Sequence, residues 1–403
     1  MKIGIFVSFS ETGGSLNQSL GFTRSLKSLK LSDKDEICII SDKKIKSNEY
    51  IDTNIKVYSF EKTWVDKIKF LLSGFLKKNK YYFFGFLKKN KYYFLGRLNP
   101  FQVFLKKNNI DLLIFSSPSP YSIYCDNFYF VINIWNTEIK KYKNFTELKT
   151  GGYLFQKKII DNAVENACRI VVFTEQNKVD LINEFGCKSD DIKILNLTPI
   201  LPKKYEKIKD IDFVKVFNRF NFDKNKKWFF YPAQFWSHKN HIYLIEVMNK
   251  IRQKKLDNYG FIFCGNDKGN QKYIKKKIND LKLENNIKIL GHIDDKELIS
   301  IYKYCDAVII PTYLGRSSLP LLESIYFNKK IYYSKGILDN KLVPYVEEFD
   351  PNDPNDLVNK IINYKDSDIE HNYKDLITDK YFRDTYESII EEFRFFQNKG
   401  SEN

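Results

Sequence analysis

Short runs of β-branched and aromatic residues alternate with segments of helical length along nearly the whole chain. That alternation restricts the fold to β/α units and parallel sheets more tightly than any other feature. Ile3 to Phe9 reads as a strand, Leu16 to Leu29 as a helix and Glu36 to Ser41 as a second strand. Strand-like runs follow at Asp111 to Ser116, Tyr129 to Trp135 and Ile170 to Thr174, with helices at Gln156 to Cys168 and Glu175 to Phe185. The pattern lapses between Pro199 and Asn221, a stretch rich in Pro, Lys and Asp, and resumes with Trp228 to Phe235. The second series runs strand Phe261 to Gly265, helix Gln271 to Leu283, strand Ile287 to Leu290, helix Asp295 to Tyr304, strand Ala307 to Tyr313, helix from Leu319 and strand Lys330 to Ser334. Two helix-like segments follow Pro354, the last from Lys380 to Gln397. The expected fold class is α/β, with two doubly wound, Rossmann-like domains. Expected spans are 1–205, 206–378 and a terminal helical segment, 379–403, that crosses back to the first domain.

Composition agrees with packed cores: 43% of the 403 residues are hydrophobic and 16% aromatic, with too few Gly and Pro for a linker array. The six cysteines lie far apart with no C-x-x-C pair, so neither a disulfide framework nor a zinc ribbon is encoded and a reducing cytoplasm is expected. Met1-Lys2-Ile3-Gly4-Ile5-Phe6-Val7 reads as a strand at once, so no cleavable leader is expected. No run of 18 apolar residues occurs, so any work at a membrane is expected from one face.

The net charge of +16 favours anionic partners, and it is concentrated. Residues 62–107 hold twelve Lys and Arg against one acid, Asp66, and contain an eleven-residue unit, Gly74 to Phe84, repeated almost unchanged as Gly85 to Leu95. Eleven residues is close to three α-turns. A helix here aligns Phe75 with Phe86 and Leu76 with Leu87, beside Lys77, Lys78, Lys88 and Lys89, as a peripheral contact with the inner face of an anionic membrane requires. The same repeat also reads as a duplication that merely lengthens an exposed segment.

Three loops carry candidate chemistry. Gly13 and Gly14, in the first β/α turn, let backbone approach a phosphate or sugar at a helix start, although a Gly pair there also makes an ordinary tight turn. Tyr231 to His241 follows the first strand of the second series and brings Gln234, His238 and Lys239 to a helix start. A cation there opposes the helix dipole unless an anion is to be bound. Gly315-Arg316-Ser317-Ser318-Leu319-Pro320 offers an N-cap serine and turn amides, and Glu323 follows in the first helical turns, placed to accept ribose hydroxyls or to compensate the dipole.

Taken together, these segments resemble the retaining family-four nucleotide-sugar glycosyltransferases of GT-B architecture, a type that builds bacterial surface polysaccharides. The resemblance covers most of the chain outside the repeat. Members carry G-R-L-x-x-x-K-G after the first strand of the second domain, where Ala233 to Asn240 keeps Lys239 but has Gln234 for the arginine. They also carry E-G-F-G-L-P-x-L-E, where Gly315 to Glu323 keeps Leu319, Pro320 and Glu323 but has Gly315 for the first glutamate. A subgroup with Y-P-A-Q-F-W-P-H-K-N-H and L-G-P-T-N-L-P-P-L-E is closer and matches both departures, Gln234 and Gly315. Its V-W-D-L-x-H-R in the first domain corresponds to Ile134 to Lys140, with Asn136, Ile139 and Lys140 for the Asp, His and Arg.

The resemblance implies two domains facing a cleft and transfer of a sugar, with retention, from a nucleotide sugar to a glycan or lipid-linked saccharide in O-antigen or capsule synthesis. Lys239 and Glu323 are the implied catalytic residues. Gly13, Gly14, Gln234, His238, Gly315, Arg316, Ser317, Ser318 and Leu319 are implied at the donor, and Trp135 and Asn136 on the acceptor side. The family needs no metal or other cofactor, because Lys and helix N-termini receive the leaving diphosphate.

Other readings draw on parts of the same sequence. Asn136, Gln234 and Gly315 also suit a nucleotide-sugar-binding protein with weakened catalysis, and the Lys, Tyr and Phe block at 62–107 also suits a nucleic-acid-binding surface. Asp-x-Asp spacing occurs at Asp33, Asp210 and Asp366, all in polar stretches where chance explains it better than a metal site. His238 and His241 lack a visible third ligand.

Overall fold

The computed structural model describes residues 1–8, 14–44, 55–61, 99–125, 127–141, 145, 152–195, 213–316, 318–365, 371, 376 and 379–400. Residues 62–98, with the eleven-residue repeat and its Phe75, Leu76, Lys77, Lys78, Phe86, Leu87, Lys88 and Lys89, lie outside them, as do Gly13 and Ser317. The chain divides into two units, one formed by 1–137, 154–198 and 379–403 and the other by 138–153 and 199–378.

The first unit is built on a parallel sheet of seven strands in the order β3-β2-β1-β4-β5-β6-β7. These are β1 (Lys2–Val7), β2 (Glu36–Ser41), β3 (Lys56–Ser59), β4 (Leu112–Phe115), β5 (Phe130–Asn133), β6 (Arg169–Val172) and β7 (Ile192–Ile194). Central strands are apolar on both faces because helices cover both; Ile3, Ile5 and Val7 of β1 are buried opposite Ile37, Ile39 and Ser41 of β2. The helices are α1 (Gly14–Ser25), α2 (Pro100–Lys107), α3 (Gly152–Asn166) and α4 (Glu175–Phe185). α2 begins where the Asn99 side chain accepts from the amides of Phe101 and Gln102 with Pro100 at the first position, and α4 begins at a Thr174 cap.

The terminal helix α11 (Asp379–Gly400) belongs to this first unit, distant though it is in sequence. Its Phe382, Tyr386, Ile389, Ile390 and Phe393 are buried in the same core as Phe22, whose ring lies 4.9 Å from Phe382 and 5.0 Å from Tyr386. The Tyr386 hydroxyl donates to Asn133 Oδ1 at 2.7 Å while Asn133 Nδ2 donates to the Phe115 carbonyl, so a polar group at the end of β5 is fully paired. Glu392 accepts from Arg169 at 2.9 Å and Lys193 at 2.5 Å, fixing the helix to the last two strands.

The second unit carries six parallel strands in the order β10-β9-β8-β11-β12-β13. They are β8 (Lys227–Pro232), β9 (Tyr259–Cys264), β10 (Ile287–Ile289), β11 (Ala307–Ile310), β12 (Lys330–Ser334) and β13 (Glu347–Phe349). Its helices are α5 (Phe213–Phe220), α6 (His241–Gln253), α7 (Gln271–Asp280), α8 (Asp295–Tyr304), α9 (Leu319–Tyr326) and α10 (Pro354–Ile362). The order is the doubly wound one, which reverses between β8 and β11. Part of the Pro, Lys and Asp-rich stretch where the pattern lapses is α5, which packs on α8 through Phe217 against Tyr304 at 5.5 Å and an ion pair from Arg219 to Glu297.

Candidate functional site

Where strand order reverses, the chain leaves two adjacent strands in opposite directions and opens a crevice at their carboxyl ends. In the second unit those strands are β8 and β11, and the loops that leave them are tied together. The Tyr313 amide donates to the His238 carbonyl at 2.9 Å, and Thr312 Oγ1 bridges within its own loop to the Leu314 carbonyl at 2.6 Å. Behind the β8 loop, Phe235 bridges to Asp267 and its amide donates to the Asn266 carbonyl at 3.0 Å. That close approach dictates a glycine next door. Gly265 has φ +149°, and a Cβ there would lie 2.4 Å from the Ala233 carbonyl oxygen.

The β8 loop supplies Gln234, His238 and Lys239 together. Gln234 Oε1 accepts from Trp236 Nε1 at 3.0 Å, whereas its Nε2 is buried with no hydrogen-bond partner among the described residues. Lys239 ends a 3-10 turn, Ser237–Lys239, and its carbonyl accepts from the Tyr231 hydroxyl at 2.9 Å. Asn240 then takes the left-handed conformation, φ 55°, and α6 begins at His241. Lys239 therefore stands just ahead of thirteen residues of helix, at the positive end of the dipole. His241 is fully buried among Tyr231, Phe235 and Phe263, with ring centroids at 4.8, 4.6 and 5.2 Å. Burial first, then the Lys239 charge, lowers its pKa from 6.5 to about 3, so it is a neutral packing residue.

The β11 loop supplies the rest. Gly315 has φ 106°, and its carbonyl accepts from the Tyr333 hydroxyl at 2.8 Å. Arg316 forms an ion pair with Glu138 at 3.2 Å. Ser318 caps α9 by accepting from the Leu321 amide at 3.3 Å, Leu319 is the first helical residue and Pro320 follows. Glu323 is buried, 5% exposed, and its Oε2 accepts from the Tyr302 hydroxyl at 2.7 Å. Neither Tyr302 nor Glu138 stands out in the sequence, because each meets its partner through the fold. Glu138 does fall inside the Ile134 to Lys140 motif, the one local signal that could have marked it.

The remaining candidates belong to the first unit. Gly14 is the first residue of α1. Trp135 packs against the first core, with its indole nitrogen buried and without a hydrogen-bond partner among the described residues, and Asn136 is exposed. Thr137 beside them is fixed by donating to Asp180 at 2.7 Å and accepting from Asn177 at 2.9 Å. Among the described residues there is no group of three or more His, Cys, Asp or Glu able to hold a metal ion. Of the Asp-x-Asp matches, the one at Asp33 lies among them, and its Asp35 pairs with the N-terminal ammonium and with Arg394. No helix among the described residues is long and apolar enough to cross a membrane.

Residues 212–378 match the family model described as glycosyl transferases group 1. A search of curated proteins finds no match. Among solved structures, Anabaena Alr3699/HepE in complex with UDP-glucose is similar at a TM-score of 0.64 and 14% identity, with 90% of each chain covered. WaaG, a glycosyltransferase involved in lipopolysaccharide biosynthesis, is similar at 0.61 and 11% identity, covering 90% of this chain and 89% of that one. Sucrose-phosphate synthase from Thermosynechococcus elongatus is similar at 0.60 and 12% identity over the whole of both chains. With two parallel sheets in doubly wound order and these likenesses, the chain has the GT-B glycosyltransferase fold, and its second unit carries the sequence pattern of glycosyl transferases group 1.

Proposed function

We propose that the protein transfers a sugar, with retained anomeric configuration, from a nucleotide-sugar donor to a glycan or lipid-linked saccharide in bacterial surface-polysaccharide synthesis. The observation that carries this reading is the convergence at the β8/β11 switch point of Lys239, the N-termini of α6 and α9 and the unpartnered Gln234 Nε2. A nucleoside diphosphate leaving group needs that set: a point charge, aligned amides and a neutral donor, all fixed before reaction. Gln234 supplies its N–H where a more common pattern has a guanidinium. Glu323, oriented by Tyr302, accepts from the ribose, and His238 and the Gly315–Leu319 turn line the sugar. Trp135 and Asn136 are assigned to the acceptor. As the glycosidic bond to phosphate breaks, the acceptor hydroxyl attacks on the same face and its proton passes to the departing phosphate oxygen, so no metal and no protein base is required. That WaaG is described as acting in lipopolysaccharide biosynthesis supports a saccharide acceptor.

Mass spectrometry after incubation with UDP-, GDP- and dTDP-sugars and a lipid-linked acceptor tests the reading. The expected result is one donor class giving an acceptor heavier by one sugar, without added metal. Donor binding with neither transfer nor hydrolysis would instead favour a binding protein, the reading that Asn136, Gln234 and Gly315 leave as its rival.

A further inference from the structure

Residues 138–153 follow β5 in the chain yet belong to the second unit, and two of them reach its crevice loops. The Phe145 ring lies 5.8 Å from Tyr313 and 6.4 Å from His238, the pair whose main chains join the two loops. The Glu138 side chain is only 4% exposed, and Oε1 stands 3.2 Å from a guanidinium nitrogen of Arg316, itself 12% exposed. A buried carboxylate beside an anion-binding loop opposes ligand binding unless a cation claims it. Here the cation is on the loop itself.

The backbone of that loop needs holding. Gly315 sits at φ 106°, and its carbonyl is tethered by Tyr333 on one side. The next residue, Arg316, is tethered by Glu138 on the other. A planar guanidinium that keeps its charge fixes direction as well as sign where it meets Glu138 Oε1, which a lysine in its place would not. We propose that Glu138 is a positioning residue for the donor site: by holding Arg316 it keeps the Gly315-Arg316 backbone in the conformation that leads into the Ser318 cap of α9. This rests on the donor reading of the crevice and adds to it a residue that makes no contact with donor itself.

Hydrogen exchange on the full-length protein, free of ligand, together with steady-state kinetics in UDP-glucose and the other nucleotide sugars, tests it. Glu138→Gln should speed exchange of the Tyr313 and Leu314 amides about tenfold or more and raise the donor KM several-fold, with kcat changed less than twofold. Glu138→Asp should recover part of both effects. Arg316→Gln should reproduce the faster exchange, and the amides of the double variant should exchange no faster than those of either single one. Unchanged exchange in Glu138→Gln, or additive increases in exchange in the double variant, would overturn the proposal. If the wild type binds no nucleotide sugar, the donor reading falls, while the exchange rates still decide whether Glu138 positions the loop.

Discussion

His241 sits three residues from His238 in sequence, but its environment makes it a different kind of group. Enclosed by three aromatic rings, it has a folded pKa of about 3 against an ordinary value of 6.5. Between those values the unfolded chain binds the extra proton, so the contribution to stability is fully present above about pH 6.5 and is lost as pH falls toward 3. Over the interval from pH 6.5 to 5 that amounts to roughly 2 kcal/mol. His241→Phe should therefore lose less stability than wild type between pH 7 and pH 5, read by urea unfolding with the fluorescence of the second unit's Trp228 and Trp236. Equal losses would show that the ring is not held neutral. The sequence could place this histidine at a helix start but not on the sheet side of it. Lys239 and Glu323 could be singled out as candidates because the order of residues around them is itself the signal. Tyr302 and Glu138 were not, because a hydroxyl or carboxylate partner brought in from another element leaves no periodic trace.

Most strands and helices were legible to within a few residues; α2 lay inside the basic span 62–107 and α5 inside the Pro199 to Asn221 lapse, while the missed strands share a position. β3, β7 and β13 end their sheets. Edge strands are short and carry charge, as Lys56, Lys193, Glu347 and Glu348 do here, so three or four residues give little to read. β10, an edge strand with the same Ile-Lys-Ile run as β7, was legible because helical segments bracket it, whereas β7 runs into the Pro199 to Asn221 lapse. The strand read as Ala307 to Tyr313 stops at Ile310, because beyond it the backbone bonds to the β8 loop rather than to a neighbouring strand. That loop-to-loop bonding is what the β9 turn supports from behind. Gly265→Ala would place a methyl against the Ala233 carbonyl, on a backbone at φ +149°. Nucleotide-sugar affinity should fall about tenfold while the far-UV circular dichroism stays that of the wild type. Wild-type affinity in this variant would separate the β8 loop from ligand binding.

At the scale of the whole molecule, the two sheets carry the fold and one segment carries the charge. Eleven of the sixteen net positive charges lie in residues 62–107, so the rest of the chain is only mildly basic. Lysines near an anionic surface contribute about 1 kcal/mol each, and paired Phe and Leu positions add apolar contact. Deleting Gly85 to Leu95 should weaken sedimentation with anionic vesicles at low salt and leave donor binding intact. Equal pelleting of both proteins, or of neither, would make the repeat an accident of duplication.

The central claim is that the switch point of the second sheet binds a nucleotide sugar through Lys239 and Glu323. Isothermal titration of wild type, Lys239→Ala and Glu323→Gln with UDP-glucose and with GDP- and dTDP-sugars tests it most directly. Loss of a hydrogen bond to a charged group should weaken binding of the cognate donor by about 1.5 to 3 kcal/mol in Lys239→Ala, and Glu323→Gln should weaken binding of the free nucleotide as well. Wild-type affinity in both variants, or no binding of any nucleotide sugar by the wild type, would contradict it.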